Sequence, residues 1–171
     1  MEQSIDFRYL YHGTGVYFQS PDLELCHGYR DYGKGFYLST GIEHAASMAR
    51  RRSGLTGIGY IYTYQMPQDL IGVNTKIFKA GPVEWLDFIM QNRNYGQTIH
   101  PYDIVIGPTA DARTIRLIDT YTHGGFGAAA SLRAKTKLIE ELKPYRFPMQ
   151  VCICTQTGLE QIRRIDEKRI I

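Results

Sequence analysis

Two short segments in the first quarter of the chain carry the side chains best suited to chemistry. The first, Tyr11-His12-Gly13-Thr14, is an aromatic, β-prone run that stops at a glycine. A histidine can donate or accept a hydrogen bond near neutral pH. A glycine lets a ligand approach the main-chain N–H and C=O closely, and these two groups match a primary carboxamide. Taken alone, a histidine at a strand end is more often a structural hydrogen-bonding residue.

The second segment is Gly33-Lys34-Gly35-Phe36-Tyr37, which has part of the pattern of a phosphate-binding loop. Gly28 and Gly33-Lys34 have the right spacing, but Gly35 stands where Ser or Thr is needed, and a strand pattern follows instead of a helix N-terminus. The segment therefore predicts a tight turn into a strand, from which Tyr37 could stack on a flat heterocycle. The alternative is that Phe36 and Tyr37 are ordinary alternating sheet residues.

The elements that must position these segments are strands and helices mixed without βαβ regularity. The predicted strands cover residues 7–11, 35–39, 60–66, 102–106 and 147–155. The first predicted helix runs from a capping box at 40–43 to about Arg52, and the second begins at Pro82 with Trp85, Phe88 and Ile89 on one face. Two further helices are predicted over 114–120 and over 131–143, the latter with Leu132, Leu138, Ile139 and Leu142 as its apolar positions. Thr157 and Glu160 are predicted to cap a last helix. This pattern predicts a single α+β domain over residues 1–171.

The bulk composition predicts a cytoplasmic protein that does not enter membranes. The chain has 171 residues, 43% of them hydrophobic, and a net charge of +3 that neither demands nor excludes an anionic partner. No apolar run approaches the ~20 residues of a membrane span, and the acidic, polar start is unlike a signal peptide. Three cysteines without framework spacing favour a reducing compartment.

In their order along the chain, the two segments resemble the first two motifs of the ADP-ribosyltransferase superfamily, which splits NAD between nicotinamide and ribose. The chain is similar to the diphtheria-toxin and poly-ADP-ribose polymerase branch, in which a His-Gly-Ser/Thr turn grips NAD and a Gly-Lys-Gly-aromatic-Tyr strand lies across the cleft. More closely, it looks like a poorly characterised bacterial domain family of that superfamily. The likeness extends to the alanine-rich helix with Ala45, Ala46 and Ala49, to residues 85–89 with Asn92-Arg93, to residues 103–108 with Ala110-Asp111, and to residues 150–155.

The resemblance implies a split β-sheet core with an NAD cleft and a role for each motif residue. The implied catalytic residues are His12, bonded to the adenosine-side ribose, Tyr37, stacked on the nicotinamide ring, and Gln150, which holds the 2′-hydroxyl of the nicotinamide ribose. The implied cofactor-binding residues are Gly13 (through its backbone, to the nicotinamide amide), Thr14, Lys34, Gly35, Phe36 and Ser39. NAD is the implied co-substrate, and no metal is expected.

Gln150 departs from the best-known enzymes of this branch, which have a glutamate there. A carboxylate opposes an oxocarbenium-like charge, whereas an amide only positions a hydroxyl and stabilises by its dipole. Strand alternation predicts that Gln150 shares a face with Cys152 and Cys154, while Val151 and Ile153 pack behind. Asp111 and Glu141 are the carboxylates that could substitute.

Two weaker patterns have bland explanations that are favoured. Cys152 and Cys154, with Cys26, could bind a soft metal, but a Cys-x-Cys in an apolar strand is more often core packing. The Arg50-Arg51-Arg52 run at a helix end and the basic tail with Arg163, Arg164, Lys168 and Arg169 could bind nucleic acid. Cations are favoured at helix C-termini in any case, so an ordinary structural role is the favoured explanation.

The sequence thus predicts an NAD-dependent mono-ADP-ribosyltransferase, of toxin or effector type, that modifies an unidentified protein or nucleic-acid acceptor. A neutralising partner protein would fit such a role. The alternatives are a weak or inactive module that binds NAD or ADP-ribose, and a stand-alone NAD glycohydrolase.

Overall fold

The computed structural model describes residues 6–78, 82–142 and 148–171, which form one sheet with helices packed on it. The strands are β1 (Tyr9–Thr14), β2 (Phe36–Ser39), β3 (Gly59–Gln65), β4 (Thr75–Ile77), β5 (Ile104–Pro108), β6 (Met149–Ile153) and β7 (Arg163–Ile170). The helices are α1 (Ile42–Arg52), α2 (Pro82–Asn92), α3 (Ala112–Thr122), α4 (Leu132–Leu142) and α5 (Gln156–Leu159), with a 3₁₀ turn at Gly54–Thr56.

The seven strands follow the order β4-β5-β6-β2-β1-β3-β7. β4 and β5 run parallel, and every other neighbouring pair is antiparallel. The predicted α+β class is confirmed. The described strands hydrogen-bond into one continuous sheet, however, and not into the two separate sheets that a split core implies. β1, β2 and β6, which carry His12, Tyr37 and Gln150, are neighbours at its centre.

Different elements pack against the two faces of the sheet. Leu10 of β1, Phe36 and Leu38 of β2 and Val151 of β6 share one buried cluster, against which loop residues such as Leu70 pack. We call this side the loop face. Tyr37 and Cys152 belong to the opposite side, where Trp85, Ile89, Leu138 and Leu142 of α2 and α4 are buried. We call that side the helix face.

Helix α1 covers the part of the helix face that β1 and β3 form. Ala45, Ala46 and Ala49 are buried against Ile61 and Tyr11. Because Tyr11 of β1 is aligned with Ser39 of β2, two residues from Tyr37, these two helix layers lie on the same side of the sheet.

Several predicted boundaries and caps differ from the structure. The capping box at 40–43 is wrong: Gly41 is the N-cap of α1 without a side-chain bond, because Thr40 Oγ1 instead donates to Met149 O at 3.1 Å. Thr155, rather than Thr157, caps α5 by accepting from Gly158 N. Leu132 is 82% exposed, so it is not a core position of α4. The predicted ends at 143 and 147 lie outside the described residues.

Strands β4 and β7 were not predicted. They form the two edges of the sheet, and most side chains of β7 are exposed. A charged, exposed edge strand protects a sheet against pairing with other chains, and it lacks the apolar alternation by which strands are recognised. Among the described helices, none is long and apolar enough to span a membrane.

Candidate functional site

At the centre of the continuous sheet, β1 and β2 are only sparsely paired. Along the described chain, β1 is aligned with β3 over all six of its residues, but with β2 only at Tyr11 and Ser39. Beyond that pair, His12 Nδ1 reaches Tyr37 O at 2.8 Å in place of a main-chain bond. We call the region bounded by His12, Gly13, Phe36 and Tyr37 the β1–β2 gap.

His12 is held as a neutral imidazole on the loop face. Its ring lies 4.5 Å from the Phe36 ring and 5.7 Å from the Phe18 ring, centroid to centroid. Burial lowers the pKa of His12 to about 4; the bond to the Tyr37 carbonyl opposes this and the charge of Arg52 adds to it. Because a carbonyl only accepts, Nδ1 carries the proton and Nε2 is left as an acceptor, suited to a hydroxyl group.

The buried, neutral state of His12 predicts an acid-dependent loss of stability. The unfolded chain binds a proton at His12 below pH 6.5, whereas the folded protein does so only near pH 4. The free energy of unfolding therefore falls as the pH drops from 6.5 towards 4, because only the unfolded chain takes up this proton; above pH 6.5 the loss is absent. It amounts to about 2 kcal/mol once partial exposure is allowed for.

Urea unfolding at pH 7 and at pH 4.5 measures this effect. His12→Gln keeps a donor for the Tyr37 carbonyl. Its free energy of unfolding should differ between pH 7 and pH 4.5 by about 2 kcal/mol less than that of the parent. His27→Gln, at an exposed position, should behave like the parent. An unchanged pH dependence in His12→Gln would contradict the neutral, buried assignment.

Gly13 is required by helix packing. A Cβ at this position would lie 1.8 Å from Ala45 O of α1. Its carbonyl accepts from Arg52 Nη1 at 3.1 Å, so the acceptor expected to bind the nicotinamide amide already has a partner. A glycine in this strand therefore marks the close approach of α1.

Gly13→Ala should lower the free energy of unfolding by about 1–3 kcal/mol, because α1 must move away from β1. Gly41→Ala is the control: its Cβ would meet nothing closer than 3.9 Å, and it should cost only the roughly 0.5–1 kcal/mol by which Ala is a poorer N-cap residue than Gly. Thermal and urea unfolding of both variants measure the difference. Equal stability of Gly13→Ala and the parent would contradict the packing role.

The Tyr37 hydroxyl closes the turn that precedes its own strand. It donates to Gly33 O at 2.8 Å and accepts from Tyr32 N at 2.9 Å, and Gly33 has φ +85°. Burial raises the pKa of Tyr37 well above its usual value, so the hydroxyl stays protonated. Its half-buried ring lies on the helix face, opposite the His12 ring, and the two residues meet through the Tyr37 carbonyl.

Gln150 lies on the helix face in a buried polar network. Its Nε2 donates to Asp31 Oδ2 at 2.8 Å and to Pro108 O at 3.3 Å. Asp31 also accepts from Ala110 N and forms an ion pair with Arg93. The hydroxyl of Tyr32 and the indole N–H of Trp85 donate to the same Pro108 carbonyl. We call this set the Asp31 network.

Asp31 is the site residue that the sequence reasoning missed. It precedes the Gly33-Lys34-Gly35 motif, but a carboxylate in a polar loop gives no sign of burial. The two carboxylates that could substitute for a glutamate at position 150 have other partners: Asp111 caps α3 by accepting from Thr114 N at 2.7 Å, and Glu141 lies 3.4 Å from Arg113. The predicted sharing of a face by Gln150 and Cys152, opposite Val151 and Ile153, is confirmed.

The other predicted cofactor-binding residues have local structural partners. Thr14 Oγ1 accepts from Val16 N, and Ser39 Oγ accepts from Gly41 N at the start of α1. Lys34 lies 3.5 Å from Glu24 at the surface. Phe36 packs against His12 on the loop face. Gly35 leaves room for Cys152, whose Sγ would lie 2.5 Å from a Cβ there.

Positive charge collects beside the β1–β2 gap. Burial, followed by the charges of Arg30 and Arg51, lowers the pKa of Arg52. The ion pairs found in the described part of the chain do not include these three arginines. Arg52, predicted to be an ordinary cation at a helix end, thus turns back to the Gly13 carbonyl and presents its charge at the gap.

Two surface cavities lie elsewhere. One of about 520 Å³ is lined by Arg8, Met66 and Arg163 among others, and one of about 560 Å³ lies between α2 and α3 beside Arg93 and Ile118. His12, Tyr37 and Gln150 line neither. Within residues 6–78, 82–142 and 148–171, no group of three or more His, Cys, Asp or Glu side chains could hold a metal ion.

The structure therefore defines an α+β domain in which two sparsely paired central strands lie beside a neutral histidine and an arginine, next to a buried carboxylate–amide network. Residues 9–163 match the family described as "Protein of unknown function (DUF3990)", and the chain belongs to that family. No curated protein and no solved structure matches the chain.

Proposed function

We propose that this protein is an NAD-dependent mono-ADP-ribosyltransferase of toxin or effector type that modifies a protein or nucleic acid. The observation that carries the proposal is the adjacency of β1, β2 and β6. These strands bear the three motifs of the resemblance. His12 lies on the loop face and Gln150 on the helix face, so NAD could contact both only where β1 and β2 are joined by the single aligned pair Tyr11–Ser39.

The charges and protonation states at the gap fit a dinucleotide. Arg52, with Arg30 and Arg51 nearby, would offset the diphosphate charge. The unprotonated Nε2 of His12 would accept a ribose hydroxyl. Since Asp31 accepts from Gln150 Nε2, the amide is oriented, and its Oε1 would be the atom that accepts from the 2′-hydroxyl.

The reaction would break the bond between ribose C1′ and the nicotinamide nitrogen. The electron pair leaves with nicotinamide, C1′ acquires oxocarbenium character, and a nucleophile of the acceptor forms the new bond to C1′. Much of the rate would come from holding NAD and acceptor in line, because the Gln150 amide supplies a dipole and not a charge.

A second candidate is an NAD- or ADP-ribose-binding module without turnover. It is favoured by one observation: the Gln150 amide and the Tyr37 hydroxyl already have protein partners. The deciding experiment incubates the purified protein and a cell lysate with NAD labelled in its adenylate half. Label on protein or nucleic acid, assigned by protease and nuclease digestion, supports the transferase. Nicotinamide release without transferred label indicates an NAD glycohydrolase, and bound but intact NAD indicates the binding module.

Arg52→Gln should weaken NAD binding about 10- to 100-fold, the loss expected for one charged hydrogen-bonding partner. Arg50→Gln is the matched control, because Arg50 and Arg52 are both exposed on the same helix, whereas it is Arg52 that donates to the Gly13 carbonyl. Calorimetric titration of NAD into both variants measures this. Equal affinities would remove Arg52 from the proposed site.

A further inference from the structure

The cysteines of the β6 region form a thiol pair that the proposed function does not use. Cys152 Sγ and Cys154 Sγ lie 3.4 Å apart. Cys152 is fully buried, whereas Cys154 is half-buried at the end of the strand. A small reagent from solvent would therefore meet Cys154 first and reach Cys152 only through it.

The surroundings of Cys154 favour the thiolate, which is the reactive form of cysteine. A hydrogen bond from Cys152 lowers the pKa of the Cys154 thiol, burial opposes this, and the neighbouring His100 imidazole lowers it further. The His100 ring is fixed by its Nε2, which lies 2.9 Å from Tyr32 O.

The backbone leaves room for the two sulfur atoms to bond. Residues two apart in a strand are separated by about 6.6 Å, at the upper end of the Cα–Cα range of about 4.4–6.8 Å that disulfides span, so Cys154, which follows the strand, must turn towards Cys152 for the Cβ atoms to come within about 4.5 Å. Gly35, just before the neighbouring strand β2, opens the space that Cys152 Sγ occupies. The chain leaves the strand at Cys154, whose N donates to Asp103 O at 2.8 Å.

We propose that Cys154 is a peroxide-reactive thiol and that Cys152 resolves its oxidised form into a Cys152–Cys154 disulfide. In the first step the Cys154 thiolate attacks one oxygen of hydrogen peroxide, the O–O bond breaks, and hydroxide leaves, giving a sulfenic acid. In the second step Cys152 sulfur attacks Cys154 sulfur, the S–O bond breaks, and the departing hydroxide takes the Cys152 proton. The two thiols are oxidised by two electrons, and one peroxide is reduced to two waters.

The test treats the reduced, folded protein with hydrogen peroxide and reads the product by intact mass and peptide mapping. The parent should lose two hydrogens, with the disulfide mapped to Cys152 and Cys154 and reversed by dithiothreitol. Cys152→Ala should stop at a sulfenic acid that dimedone traps on Cys154. Cys154→Ala should leave Cys152 unmodified until urea is added.

Cys26→Ala is the control, because Cys26 is half-buried in the Gly15–Gly35 loop and burial raises the pKa of its thiol. This variant should form the disulfide as the parent does, and in the parent Cys154 should react about tenfold or more faster than Cys26. Circular dichroism checks that each variant is folded. Oxidation of Cys26 before Cys154, or a disulfide that includes Cys26, would overturn the proposal. If Cys152→Ala does not fold, Cys152→Ser takes its place.

Discussion

Asp31→Ala is expected to lower the free energy of unfolding by about 3–5 kcal/mol, as does removal of one partner from a buried ion pair. The carboxylate accepts from Gln150 Nε2 and Ala110 N and pairs with Arg93. Its loss leaves Ala110 N and one of the two Gln150 amide hydrogens without an acceptor and Arg93 without its ion-pair partner, and each such group adds a desolvation cost. Urea unfolding measures the change.

Asp119→Ala is the matched control, because that carboxylate is 73% exposed in its pair with His123 and surface pairs contribute about 0–1 kcal/mol. The Asp31 network also fixes the loop before β2, so Asp31→Ala should make the bonds after Arg30 and Lys34 more sensitive to trypsin. A loss below about 1 kcal/mol with unchanged cleavage would show that the network does not hold the loop.

If the transferase proposal holds, Gln150→Ala is expected to slow nicotinamide release about 10²- to 10³-fold, the range seen when one transition-state hydrogen-bonding partner is removed. The affinity for NAD should change much less, because the contact strengthens as charge develops at C1′. Gln156→Ala, at an exposed position just after the same strand, is the control. Full turnover in Gln150→Ala would show that another residue holds the 2′-hydroxyl of the nicotinamide ribose.

Gln150→Glu tests the same site through charge. A carboxylate at 150 could raise turnover, but it would face Asp31 Oδ2, now 2.8 Å from Gln150 Nε2, and two such carboxylates cannot both ionise without cost. The single variant should therefore be destabilised. Asp31→Asn combined with Gln150→Glu exchanges amide and carboxylate and should recover about 1–3 kcal/mol relative to the sum of the single changes.

If the transferase proposal holds, the exchanged pair should also release nicotinamide faster than Gln150→Glu alone. Under the binding-module alternative the parent shows no turnover, and the exchanged pair is the variant most able to gain some. Recovery of stability without any turnover in parent or variants would support the module. Steady-state nicotinamide release measures turnover, and urea unfolding measures stability, for the parent, Gln150→Glu, Asp31→Asn and the exchanged pair.

Local pattern predicted most of the elements that build the site. Short apolar or aromatic runs predicted β2 and β6, alternation predicted β3, and runs of apolar residues at helical spacing predicted α2 and α4, because these signals are written in consecutive residues. The period of two also predicted that Gln150 and Cys152 share a face. The polar edge strands β4 and β7 have no such face and were missed.

What the sequence by itself determined is therefore the class of fold, the core elements and the order of the three motifs. Only the tertiary structure decided that His12 and Tyr37 project to opposite faces, because the alignment of Tyr11 with Ser39 is a property of two strands and not of either one. The burial of Asp31, the approach of α1 to Gly13 and the 3.4 Å separation of the Cys152 and Cys154 sulfur atoms likewise depend on distant segments. Such contacts follow from packing between elements, and no local run of residues encodes them.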